Sequence, residues 1–265
     1  MSESGRDNKR KAKDKAFYVK TAKLARRSAK GPSELGPDMK GFLCTSNREK
    51  DCVREAYNIL NEHADLLYGS ESKVEEPEKK EELEIEDELS KEVADLKNQQ
   101  SKPVAERRFQ SVLTGVKGCV FIRTTVNDPS EMVDAIISKI EKSQEQSTKF
   151  LLRMLPIHAT CKSNSEDISK TVDQVITEKL TPYKTFSLLV KVRNHNLKRT
   201  DLVEVLADIV RKKYPDIKVN LDQPEVSVVV EVLGRTCCVG IVTKYSERVK
   251  YNLLELAQKS TKSQS

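Results

Sequence analysis

Hydrophobic spacing changes period repeatedly along the chain, and each change marks an element. GFLCTS (41–46) is a short apolar run of strand type. In the REKDCVREAYNILNEHADLLYG that follows, Cys52, Val53, Ala56, Tyr57, Leu60, Ala64 and Leu67 recur at helical spacing on one face. Asn47 is the expected cap of that helix and Gly69 the residue that ends it, while His63 beside the stripe reads as a surface or boundary position. RRFQSV and GCVFIRT are two more strands, separated by LTGVKG, where Gly115 and Gly118 supply turn chemistry. Asp128-Pro129-Ser130-Glu131 opens a second helix with Pro at its first position, and Met132, Val133, Ile136, Ile137 and Ile140 form its inward stripe. KFLLRMLPIHATCK then reads as one long strand, in which Pro156, lacking a ladder donor, points to an edge or a bulge. Strand, helix, strand, strand, helix, strand is the order of a split βαβ, ferredoxin-like unit.

A second unit follows. Ser165-Glu166-Asp167 opens a helix with Ile168, Val172, Val175, Ile176 and Leu180 inward and Pro182 just past its end. Tyr183 to Tyr245 reads as strand, basic loop, helix and three short strands. Phe186, Leu188, Val190 and Val192 alternate with Ser187, Leu189, Lys191 and Arg193, so one strand delivers two cations to one face near its end. The loop NHNLKR supplies Asn194, His195, Asn196, Lys198 and Arg199, with Thr200 as the expected cap of the helix DLVEVLADIV, which would bury Leu202, Val205, Leu206, Ile209 and Val210. Arg211, Lys212 and Lys213 suit the negative end of that helix dipole. Val226, Val228, Val230 and Val232 alternate along the next strand. Gly240 lies in the middle of the last, where a bulkier residue would be unremarkable.

Charge separates these units from their surroundings. Residues 1–30 hold 11 Lys/Arg against 3 Asp/Glu, and residues 71–96 hold 12 Asp/Glu against 4 Lys. Such blocks lack the apolar surface needed to offset ordering entropy. The expected organisation is a disordered basic tail (1–37), a ferredoxin-like domain (38–155) with an acidic insert (70–101), a second α+β domain (140–245) overlapping the first at its boundary, and a C-terminal tail (246–265). Within the insert, Leu83, Ile85, Leu89, Val93 and Leu96 keep some helical periodicity. Within the last tail, Tyr251, Leu253, Leu254 and Leu256 have the spacing of one final packed turn. The KRKAKDK run (9–15), with Lys20, Lys23, Arg26 and Arg27, reads either as solvated chain or as a nuclear-import or RNA-contacting arm.

Several function classes find no support. No apolar run approaches the roughly 18–20 residues of a membrane span. The basic N-terminus is not followed by a signal-peptide pattern. The six cysteines are irregularly spaced without a C-x-x-C, which speaks against a zinc site or a disulfide framework and for a reducing compartment. Cys237 and Cys238 point to opposite faces of one strand, so core packing is favoured over a vicinal redox pair. There is no G-x-G-x-x-G, P-loop, H-E-x-x-H or G-x-S-x-G. His63, His158 and His195 fall in three different elements with no evident carboxylate orienter. What remains is the cluster Lys191, Arg193, Asn194, Asn196, Lys198 and Arg199, suited to phosphate oxygens and base edges. Simple solubilisation by the same charges stays open at this point.

The runs RRFQSVLTGVKGCVFIRT, FLLRMLPIHATCKSNSEDI, VKVRNHNLKRTDLVEVLA and PEVSVVVEVLGRTCCVGIV resemble THUMP-domain proteins. MKGFLCTSNREKDCVREAYNILNE adds an N-terminal match. The similarity covers roughly 39–68 and 103–255, and is closest to the eukaryotic stand-alone THUMP proteins that act as tRNA-binding adaptors for cytidine N4-acetylation. The resemblance implies a ferredoxin-like domain packed on a THUMP domain (the 140–245 unit). It implies a non-catalytic chain that binds the 3′ end and acceptor stem of serine and leucine tRNAs. A separate RNA cytidine acetyltransferase would carry acetyl-CoA and ATP and form N4-acetylcytidine in the D-arm. No cofactor, metal or small-molecule substrate is then expected on this chain, and the nucleus or nucleolus is the expected location, with the cytoplasm also compatible. Carried over by position, RNA contact falls on Lys191, Arg193, Asn194, Asn196, Lys198 and Arg199. The alternatives are an RNA-modifying enzyme with an unrecognised site, or a general RNA binder acting through its basic tail.

Overall fold

Strand β1 (Gly41–Ser46) and helix α1 (Glu49–Tyr68) form where the apolar spacing changes from runs to stripes. They are followed by β2 (Phe109–Val112), β3 (Cys119–Thr124), α2 (Pro129–Ser143) and β4 (Leu151–Ile157). The structure, a computed structural model, describes residues 33–69, 107–180 and 183–262, with side chains to 259. The basic stretch at 1–32 and the acidic insert with its flank (70–106), expected to be disordered, and Pro182 lie outside the described residues.

The first sheet has the order β2-β3-β1-β4, all antiparallel, which is the ferredoxin-like arrangement. The predicted stripe of α2 is fully buried, each large aliphatic side chain contributing roughly 1.5–3 kcal/mol relative to exposure. Asp128 caps α2 by accepting from the Ser130 N–H at 2.9 Å, ahead of Pro129. Two expectations for α1 are corrected. Arg48, not Asn47, is the capping position and gives no side-chain bond; the nearby Ser46 Oγ accepts the Arg48 N–H instead. His63 is buried rather than peripheral, because its Nδ1 can bond to the Ile59 carbonyl at 2.9 Å one turn back.

The long strand expected from 149 to 162 is two strands in two sheets. β4 ends at Ile157, His158 breaks the ladder, and β5 (Ala159–Lys162) joins a second sheet. Pro156 does lie on an edge strand, β4. Helix α3 (Ser165–Lys179), β6 (Thr185–Arg193), α4 (Arg199–Lys213), β7 (Lys218–Val219), β8 (Val226–Leu233) and β9 (Thr236–Thr243) complete the second unit. Its order is β5-β9-β8-β6-β7, with β6 parallel to β7 and β8 and the other pairs antiparallel.

β8 is buried at every position, which explains why its sequence is apolar beyond simple alternation. One face, Val226, Val228, Val230 and Val232, packs under α3 and α4. The other, Val229 and Leu233 with Cys238 and Val242 of β9, belongs to the core of the first domain. Cys237 and Cys238 accordingly enter different cores. A Cβ on Gly240 would stand 2.2 Å from the Pro156 carbonyl oxygen, so β9 and β4 approach as closely as they do because that residue has no side chain. Two further segments join the domains. Leu35 to Met39 lies along β5 and the β8–β9 hairpin: Asp38 N–H donates to Thr160 O, Met39 N–H to Thr160 Oγ1, and Thr236 Oγ1 donates to Leu35 O. After a 3-10 turn (Val249–Tyr251), α5 (Leu253–Lys262) seats Leu253, Leu256 and Ala257 in the first core. The C-terminal segment thus carries a packed helix, more than the single turn its spacing predicts.

Candidate nucleic-acid interface

β6 carries Lys191 and Arg193 toward the first sheet, not outward. Both face Glu231 of the neighbouring strand β8, a carboxylate only 1% exposed. Lys191 Nζ lies 3.1 Å from Glu231 Oε1 and Arg193 Nη1 3.4 Å from Oε2. Arg193 also donates to Cys119 Sγ on β3 at 2.7 Å, bridging the two sheets. A buried carboxylate costs several kcal/mol of desolvation unless paired, so these two cations are first of all its counterions. Burial pushes the Cys119 thiol above its ordinary range, partly offset by Arg193.

The loop beyond is exposed. Asn194 takes φ 54°, in the left-handed region that asparagine tolerates, and the Gly234 N–H donates to the Arg193 carbonyl at 3.0 Å, tying the turn to the β8–β9 hairpin. His195 Nδ1 accepts the Leu197 N–H at 3.1 Å, so the histidine shapes the loop. Asn194, Asn196 and Lys198 then project into solvent. α4 starts two residues earlier than the expected Thr200 cap allows. Lys198 is its capping position, and the Thr200 hydroxyl donates to Asp201 Oδ1 inside the first turn. Arg199 Nε donates to the Val190 carbonyl at 2.9 Å, which anchors that guanidinium at its root. Of the inward stripe expected for α4, Leu202, Leu206 and Val210 are buried, while Val205 is 41% exposed.

The six predicted residues are therefore contiguous in the chain but divided in role: Lys191 and Arg193 neutralise a buried acid, Arg199 is anchored, and three remain free to touch a ligand. Sequence reasoning missed the surface they adjoin. A trough of about 540 Å³ runs along the outer edge of β5, between the Pro37–Lys40 segment and α3. A second hollow of about 460 Å³ shares Pro37 and Lys162 with it and reaches His195. Lys40, Lys162 and Lys170 line the first and Arg235 the second, with Asp38 and Asp167 as the acidic members of the first. Lys40 reaches the Asn127 carbonyl and Lys170 pairs with Glu166. Lys162 and Arg235 have no carboxylate partner among the described residues. They come from a strand end and a hairpin 73 positions apart, and only the β5–β9 register, Lys162 opposite Thr236, brings them together.

His158 does have a carboxylate neighbour, contrary to the sequence expectation. Its Nε2 lies 3.0 Å from Ser130 Oγ and 3.4 Å from Asp128 Oδ1, and its Nδ1 accepts the Ile241 N–H at 3.2 Å. Serine and aspartate stand on the same ring nitrogen, whereas a base that activates a hydroxyl needs its orienter on the opposite one. The cluster is a joint between domains. The His158 bond, with Lys179 at 2.5 Å, holds the Asp128 carboxyl well below the usual carboxylate range against the opposing effect of burial.

The α+β sheet carrying this loop and trough, behind a ferredoxin-like domain, defines a THUMP-domain protein: the THUMP domain matches residues 162–242. The human THUMP domain-containing protein 1 is 38% identical over 255 residues, covering 94% of this chain and 72% of the human one. The Drosophila melanogaster homolog is 39% identical over 252 residues, covering 87% and 78%. The chain belongs to the THUMP domain-containing protein 1 family. Among solved structures, the THUMP domain of THUMP domain-containing protein 1 matches 29% of this chain and 83% of its own length at 32% identity and TM-score 0.27. A 4-thiouridine synthetase–RNA complex with bound ATP matches 78% of this chain and 42% of its own at 11% identity and TM-score 0.41.

Proposed function

We propose that this protein is a tRNA-binding adaptor that makes no bond itself and presents tRNA to a separate RNA cytidine acetyltransferase for N4-acetylcytidine formation. The observation that carries RNA binding is the hollow lined by His195 of the exposed Asn194–Lys198 loop, Lys162 and Arg235, which shares Pro37 and Lys162 with the trough. Cations without carboxylate partners are available to phosphate oxygens, and amide side chains can read unstacked bases of a single-stranded end. Family membership directs this surface to tRNA, and the resemblance to acetylation adaptors supplies the partner. In this reading the catalytic gain comes from holding the cytidine near the enzyme in one orientation. Acetyl-CoA and ATP are assigned to the partner, and the nucleus or nucleolus to the complex.

The test has two parts. The purified chain should bind tRNA and show no acetyl transfer alone, while tRNA from cells lacking it should lose N4-acetylcytidine. Unchanged N4-acetylcytidine in such cells would refute the adaptor role. Acetyl-CoA turnover by the isolated chain would refute its non-catalytic part.

A further inference from the structure

The six thiols are all unpaired and buried, but they are not equivalent. Among them are two neighbouring pairs whose thiols shift one another's proton affinity: Cys44 with Cys52, and Cys161 with Cys237. The first joins β1 to α1 inside the first core, where both residues are fully inaccessible. The second is a cross-strand pair. Cys161 of β5 stands directly opposite Cys237 of β9 in the antiparallel register, and both face the core under α3 and α4. Directly opposed residues have Cα atoms about 4.5–5.5 Å apart, within the span of about 4.4–6.8 Å that a disulfide bridges. Unlike the first pair, this one has a way in. β5 is an edge strand, and Cys161 is 7% exposed and lines the trough.

The two sulfurs also differ in proton affinity. The neighbouring Cys237 thiol lowers the Cys161 thiol from its ordinary range against burial, and Thr171 adds to the lowering. Cys237, fully inaccessible, is raised. The sulfur nearer solvent is thus the one better able to become a thiolate, the form that attacks an electrophile.

We infer that Cys161 and Cys237 form an oxidisable dithiol in the wall of the trough, which hydrogen peroxide converts to an intrachain disulfide. The Cys161 thiolate attacks one peroxide oxygen and breaks the O–O bond. The departing hydroxide takes a proton to become water, and Cys161 is left as a sulfenic acid. The Cys237 thiol then attacks the Cys161 sulfur, the S–OH bond breaks, and the hydroxide leaves with the Cys237 proton as a second water. Two thiols lose two electrons and two protons, and one peroxide is reduced to two waters. The new bond staples edge strand β5 to β9 beneath Thr160 and Lys162. This assignment is independent of whether the trough holds RNA.

Full-length protein treated with hydrogen peroxide, alkylated under denaturing conditions and digested should yield a peptide pair joined through Cys161 and Cys237. It should also show two fewer alkylated cysteines, with Cys44 and Cys52 still fully alkylated. In the Cys237→Ala variant, Cys161 should stop at the sulfenic acid and be captured by dimedone. Full alkylation of Cys161 after peroxide, or oxidation of Cys44 and Cys52 at the same rate, overturns the proposal. Because the unaltered chain gives the decisive peptide, failure of a variant to fold leaves the result intact.

Discussion

The seam between the two sheets and the rim of the trough both carry cations, drawn in part from one short stretch, Lys191 to Arg199. On the seam, Lys191 and Arg193 close on Glu231, whose carboxylate lies in a place water barely reaches. On the rim, Lys198, Lys162 and Arg235 face solvent with no carboxylate opposite them among the described residues. A cation facing a buried acid has its field consumed by that acid. A cation facing water has it available to a ligand. Positive charge in a sequence therefore counts toward binding only after the buried acids have been subtracted, and here one glutamate removes two of the four predicted cations.

The largest effect should come from breaking the seam. Replacing both Lys191 and Arg193 by Met leaves the buried Glu231 without its partners, and the expected loss is about 3–5 kcal/mol of stability. Urea unfolding measures this, and adding Glu231→Gln should restore much of it. A triple variant as unstable as the double would mean that Glu231 is not what the cations serve.

Next in size is Gly240→Ala, which puts a methyl group against the Pro156 carbonyl and forces β4 and β9 apart, at a cost of about 1–3 kcal/mol. Differential scanning calorimetry should show the fall in Tm, and an unchanged Tm would show that the sheets can slide to make room.

Asp128→Asn tests the seam by pH. The folded Asp128 carboxyl is depressed by His158 and Lys179, so its contribution is full above the ordinary carboxylate value of about 3.9 and is lost as pH falls through the folded value. Asparagine caps a helix about as well, so the variant should be modestly weaker near neutrality and flatter on the acid side. Parallel acid-unfolding curves for the two proteins would rule out that contribution.

The smallest stability change belongs to the rim. Lys198→Ala and Arg235→Ala should stay within about 0.5 kcal/mol of the parent. Each should nevertheless weaken tRNA binding and flatten its dependence on log salt by up to about one unit per lost phosphate contact. If Lys191→Met had the same salt signature as Lys198→Ala with no loss of stability, the division between seam and rim would fail.

How much of this was legible in the sequence follows from the range of the interactions. The α2 stripe, the Asp128-Pro129 cap and the βαββαβ order were readable because they depend on residues a few positions apart. His63, Asn47 and Thr200 were misjudged because burial and capping were settled by neighbours that spacing does not report. The long apolar run was read as one strand because β4 and β5 are continuous in hydropathy. Only the partner strands, β1 for one and β9 for the other, divide it at His158. The exposed loop was found as a dense local run. The trough and the hollow beside it were not, because their cations come from the 35–40 segment, β5, α3 and the β8–β9 hairpin. Gly240 was noticed as an unexpected small residue, and the reason for it sits 84 positions away at Pro156.

Helix α5 has a consequence for how the protein comes into being. Leu253, Leu256 and Ala257 complete a core whose other walls are built from residues before 158 and from the inner face of β8 and β9, Val229, Leu233, Cys238 and Val242. During synthesis the first domain therefore waits, with a hydrophobic gap, until the second has emerged and the chain has returned. A ribosome stalled between the two, or a stop codon just after Thr243, would release a THUMP sheet of full length beside a partner that cannot close. The two domains are written in succession but finish together.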